Sequence, residues 1–194
     1  MGADRMVVAP VAPEFEAGVA PAGPRGQTYA SMSLKAELQH LGLLSKDAHV
    51  PHGQLPLVAL CDAGVLDGAL SIALDLRSDE LIGPLCERIG GAARSLKVLD
   101  VRDDPEGTLI VDAGNGEESW EVREPRDLVE RCNDEFRSDA EARAVAVLGE
   151  WEDSLQLWCI PKHALSSLLR APFFQAENRA RLSALVPAAS RGSR

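Results

Sequence analysis

Helix-period segments begin near Ser33, Asp79 and Arg126, and each is followed by segments of strand period. The intervals are 46 and 47 residues. An internal period of this length restricts a chain to a few architectures built from one supersecondary unit, here helix–strand–strand. It constrains the fold far more than the chemistry, because no residue cluster in the chain announces a reaction.

The 194 residues suffice for one sizeable domain with tails. An apolar content of 45% permits a real core. The formal charge of −10 is unevenly spread: Asp79 to Asp153 holds 21 acidic against 9 basic side chains, a net −12. The last 24 residues lean the other way, with Arg179, Arg181, Arg191 and Arg194 against Glu177. A surface this acidic repels phosphate backbones, which argues against nucleic acid as main partner, and it suits a basic protein partner. The longest apolar stretch, Leu55 to Leu76, is broken by Asp62, Gly64, Asp67 and Gly68, so no membrane span is expected. Asp4, Glu14 and Glu16 stand where a signal peptide would be apolar, and the expected location is the cytoplasm. Cys61, Cys86, Cys132 and Cys159 are scattered among apolar neighbours with no C-x-x-C pair, which predicts buried free thiols in a reducing compartment.

Residues 1–30, with Pro10, Pro13, Pro21 and Pro24, read as a disordered Ala/Pro/Gly-rich tail, and 188–194 as a fraying end. A single domain is expected over 31–187. Its first part, 31–77, reads as an extra helix from Ser33 with the stripe Leu34, Leu38 and Leu41, then a hairpin. The hairpin pairs the apolar run Pro56–Cys61 with Gly68–Leu76, where Leu70, Ile72, Leu74 and Leu76 alternate onto one face. In 78–187, Ser78 is expected to cap a helix with the buried stripe Leu81, Ile82, Leu85 and Ile89, stopped by Gly90-Gly91 and strained by Pro84. A three-strand meander follows over Leu96–Arg102, Thr108–Ala113 and Ser119–Arg123. Pro125 opens a third helix with Leu128, Val129, Cys132 and Phe136 inward. Arg143–Leu148 and Ser154–Ile160 form a hairpin turning at Glu150–Asp153, and short helices follow Pro161 and Pro172, with Phe174, Leu182 and Leu185 as core contacts.

From Asp79 onward the order is helix, three strands, helix, two strands, helix. Ile89-Gly-Gly leads into Val98-Leu-Asp-Val101, then Asp-Pro-Glu-Gly, then Thr108-Leu-Ile-Val-Asp112. In this order and texture, residues 79–186 resemble the class I type III secretion chaperones and the YbjN-like proteins that share their architecture. The resemblance implies a small, acidic, usually dimeric protein that holds a partly unfolded client, with no cofactor and no catalysis. It leaves the 33–76 unit unexplained.

His49 and His52, with Asp47 nearby, have ligand-like spacing, but no Cys or His pair elsewhere completes a four-donor metal site. His163 could act as a base near Cys159, yet Cys159 sits in an apolar strand rather than an electropositive niche. Carboxylates gather at two hairpin tips: Asp103, Asp104 and Glu106, then Glu150, Glu152 and Asp153. Trp151 distinguishes the second tip, because a large aromatic between acids at a turn is poorly placed to reach the core, and tryptophan is favoured at interface centres. Trp120 and Trp158 are expected in the core.

The sequence thus predicts an α+β fold, an antiparallel sheet of helix–strand–strand units with helices packed on one face. It predicts a non-enzymatic protein-binding module, a chaperone-like adaptor or an inhibitor, possible as a homodimer. No cofactor, metal, nucleic acid or membrane is expected, and Glu150, Trp151, Glu152 and Asp153 are the expected partner contacts. The alternative is a small hydrolase-type enzyme using His163, or His49 and His52, with hairpin carboxylates.

Overall fold

The computed structural model describes residues 33–45, 47–50, 55–102 and 107–186. The expected tails at 1–30 and 188–194, and the residues His52, Asp103, Asp104 and Glu106, lie outside these. The α+β class with antiparallel strands holds. The strands divide into two three-stranded sheets rather than one.

The first helix, α1, covers residues 33–40 and buries Leu34 and Leu38, with Leu41 packed beside them. The next segment departs from the expected hairpin. Pro56–Asp62 is a helix, α2, that buries Leu57, Val58, Leu60 and Cys61. Six apolar residues cannot distinguish a buried strand from one face of a helix by period. Two signals decide it. Pro56 occupies the first helical turn, where its missing N–H costs nothing. At the other end Gly64 adopts φ 65°, and the Val65 N–H donates to Leu60 O at 3.2 Å while the Gly64 N–H donates to Cys61 O at 2.9 Å. That pair of bonds is a Schellman stop, which needs a left-handed residue and so favours glycine. The glycine read as a hairpin connector ends a helix.

Among the described residues strand β1 (Ala69–Ala73) therefore has no strand partner in its own unit. It pairs antiparallel with β6 (Ser154–Ile160), whose other edge carries β5 (Ala144–Trp151), giving the order β1-β6-β5. The regular interval in the sequence is thus partly coincidental. At the entry to β1 the chains approach so closely that a Cβ on Gly68 would overlap the Cys159 carbonyl oxygen, and the Cys159 N–H donates to Gly68 O at 2.9 Å. Only glycine fits there.

This sheet is covered on both faces, so β6 is buried from Leu155 to Ile160 without the usual alternation. Trp158 and Ile160 join Ala144, Ala146 and Leu148 in a core with α1, α2, α5 (Lys162–Leu168) and α6 (Ala176–Ser183). The Trp158 indole N–H donates to Asp67 O at 2.9 Å, and its ring stacks on Phe174. Leu155, Leu157 and Cys159 share the opposite face, as expected, with Ile72, Val145 and Val147. They meet α3 (Ser78–Ile89) and α4 (Pro125–Glu135), which bury the expected stripes. Ser78 does not cap α3: Arg77 holds the cap position and Ser78 is the first helical residue. At α4 the cap is built instead by a reciprocal pair, Glu124 and Asp127.

The second sheet is the expected meander: β2 (Lys97–Arg102), β3 (Thr108–Asp112) and β4 (Glu117–Glu121). Leu109, Val111 and Trp120 face the same core as α3 and α4, while Ser119 and Glu121 face solvent. Arg131 lies over the Trp120 ring at 5.3 Å and pairs with Glu118 at 3.0 Å, and the indole N–H donates to that same carboxylate. Helices thus pack on one face of the second sheet and on both faces of the first.

One clasp ties these layers. The buried Lys162 ammonium donates to the carbonyls of Phe136, Arg137 and Asp139 at 2.6, 2.9 and 2.6 Å. The ammonium thus supplies donors to the turn that follows α4, where Phe136 O also accepts from Asp139 N at 3.2 Å. Burial pushes the ammonium below its ordinary range, and the Asp139 carboxylate opposes that shift. Asp139 in turn accepts from Ala92 N at 2.7 Å and Glu141 N at 2.9 Å, and these backbone donors hold its carboxyl below the usual value.

Candidate partner-binding hairpin tip

The β5–β6 hairpin closes on the pair Trp151 and Ser154, leaving only Glu152 and Asp153 in the loop. The Ser154 hydroxyl donates to Trp151 O at 2.9 Å, which locks the end of the ladder. Glu152 adopts φ 52°, the only non-glycine residue with positive φ among those described. A side chain in the left-handed region costs about 1 kcal/mol. Glycine is the usual occupant of such a position. Here a carboxylate stands at the apex instead.

Trp151 is 39% exposed, whereas Trp120 and Trp158 are buried. Beside the tip the Leu74 N–H donates to Asp153 O at 3.2 Å, and Leu74 is 44% exposed. The alternation predicts Leu74 on one strand face with Leu70, Ile72 and Leu76. The strand ends at Ala73, so the alternation stops one residue earlier and Leu74 emerges at the edge. Glu150, in register with Leu155 and Ile72, reaches Arg126 at 3.6 Å on α4. Asp75, Glu152 and Asp153 make no ion pair among the described residues.

Leu74 also lines a groove of about 380 Å³ between the two sheets. Leu76, Val101, Leu109 and Pro125 supply apolar walls, and Arg77 and Arg123 stand along it. Nothing in the sequence pattern indicated the groove, because it forms between segments that are distant in the chain.

The other candidate residues do not converge. His163 is exposed on α5, while Cys159 is fully buried in β6. Burial pushes the Cys159 thiol up to about 12 and the Cys61 thiol to about 11, so neither is a thiolate near neutral pH. Cys86 and Cys132 share a thiol hydrogen bond between α3 and α4, which lowers the first and raises the second. All four thiols are buried and free. Asp47 and His49 are exposed. Among the described residues no group of three His, Cys, Asp or Glu side chains is placed to hold a metal ion. No described helix is long and apolar enough to cross a membrane.

No protein-family model, curated protein or solved structure matches this chain.

Proposed function

We propose that this chain is a non-enzymatic protein-binding module, a chaperone-like adaptor or an inhibitor that masks a partner, and that Glu150, Trp151, Glu152 and Asp153 contact that partner. The observation that carries the reading is the half-exposed Trp151 on a locked hairpin end, in a protein whose other two tryptophans are buried. A rigid, exposed aromatic loses little entropy on binding and supplies a large contact area. The acidic balance of residues 79–153 and the order of elements from Asp79 agree with a chaperone-like role toward a basic or partly unfolded client. Free buried thiols suit a reducing compartment, so we place the protein in the cytoplasm.

The test is affinity capture from native extract with the full chain and its Trp151→Ala variant. The wild type should retain a stoichiometric protein partner, and the variant should lose at least about 2 kcal/mol of affinity, roughly 30-fold. Recovery of no partner, or equal recovery by both proteins, would sink the proposal.

A further inference from the structure

We infer that Cys86 and Cys132 form a redox-sensitive staple: a hydroperoxide oxidises the pair to a disulfide that ties α3 to α4. The inference is independent of the reading of the hairpin tip.

The fold brings together two thiols that lie far apart in the chain. Cys86 belongs to the buried stripe of α3 and Cys132 to that of α4, and the two helices are in contact. Their thiols share a hydrogen bond, so the two sulfurs touch across the helix interface. Most cysteine pairs fail this condition, because a disulfide needs side chains that face each other and sulfurs that close to about 2.05 Å. Pro84 breaks the hydrogen-bond ladder of α3 two residues before Cys86, which gives that turn room to take up the closing shift.

The other thiols are worse placed. Cys61 belongs to the core on the opposite face of the first sheet, where its thiol donates to Leu157 O at 3.1 Å. Cys159 shares the core of Cys86 and Cys132 but is held in the β6 ladder, and burial pushes its thiol up to about 12.

The hydrogen bond also divides the roles within the pair. It lowers the Cys86 thiol and raises that of Cys132, which marks Cys132 as donor and Cys86 as acceptor. Cys86 is also nearer to solvent, 5% exposed against 1%. Cys86 is therefore the sulfur that attacks the peroxide. An S–O bond forms, the O–O bond breaks, and the departing oxygen takes the proton that Cys86 gave up. The Cys132 sulfur then attacks the sulfenic acid at Cys86. The S–S bond forms, the S–O bond breaks, and hydroxide leaves as water with the Cys132 proton. Two thiols thus lose two electrons and two protons, and the hydroperoxide is reduced to an alcohol and water. The loop so closed contains β2, β3 and β4, so the staple restrains the whole second sheet in the unfolded chain.

The test treats the full chain with hydrogen peroxide under native conditions, alkylates the remaining thiols and digests without reduction. Mass spectrometry should find one peptide linked through Cys86 and Cys132, two hydrogens lighter than the reduced pair and released by dithiothreitol. The oxidised chain should melt about 4 °C or more above the reduced one, and Cys86→Ser and Cys132→Ser should show no such gain. A link through Cys159, a sulfinic acid at Cys86 without a link, or a link without the thermal gain would each overturn the staple. So would an unchanged pair in native protein whose unfolded form oxidises readily.

Discussion

The Lys162 ammonium lies 2.6 Å from the carbonyl oxygen of Phe136, the residue that caps the end of α4. This bond joins the start of α5 to the end of α4. Replacing Lys162 with Met keeps the bulk but removes a donor from three carbonyls, of which Phe136 O retains the Asp139 N–H. The variant should lose about 2–4 kcal/mol in denaturant unfolding. A loss below about 0.5 kcal/mol would show that water satisfies those carbonyls equally well.

Asp139 makes stability depend on acid. Its folded carboxyl is held below the ordinary value of 3.8, first by the Ala92 N–H and then by the Glu141 N–H. A depressed carboxyl contributes stability that is complete above the unfolded value and is lost as pH falls through the folded one. Asp139→Asn should therefore be less stable than wild type at neutral pH, with the gap closing below about pH 4. Parallel stability curves down to about pH 2 would contradict the assignment.

Glu152 and Glu150 should respond to glycine with opposite signs. Glu152→Gly relieves a left-handed side chain and should raise stability by up to about 1 kcal/mol. Glu150→Gly weakens an ordinary strand position and should lower it by about 0.5–1 kcal/mol. Two losses of equal size would mean that Glu152 is unstrained in solution.

The tryptophans should separate cleanly. Trp158→Ala opens the core against Phe174 and should cost about 3–5 kcal/mol, whereas Trp151→Ala should cost less than about 1 kcal/mol. Melting of the two variants decides this. Comparable losses would place Trp151 among the structural residues and remove the basis for the proposed contact.

Thiol labelling near pH 8 should be slow in the folded protein and complete on unfolding. Cys61 and Cys159, pushed up to about 11 and about 12, should label only as fast as the protein opens. Rapid modification of Cys159 under native conditions would show that β6 is more accessible than its burial implies.

The second half of the fold was readable because its signals are local. Asp79 and Glu80 at the start of α3, the Gly90-Gly91 stop, Pro125 and the alternation of Leu155, Leu157 and Cys159 each act within a few residues. The first half misled for two reasons. Pro56–Asp62 is too short for its period to show, and its decisive glycine serves turns and helix ends alike. The division into two sheets depends on β1 choosing β6, a long-range pairing with no local signature. Trp151 was visible as an aromatic set among acids. Leu74 was not, since its exposure depends on β1 stopping one residue before it.

The pairing of β1 with β6 also sets a timetable for synthesis. Ser71 and Gln156, bonded across the ladder, lie 85 residues apart, and everything from α3 to β5 is made between them. At about 5–20 residues per second, β1 waits about 4–17 seconds after it is made for its strand partner β6. During that wait the nascent chain carries Ile72 and the apolar side of α2 without their eventual cover, so the ribosome-bound form is more adhesive than the finished protein.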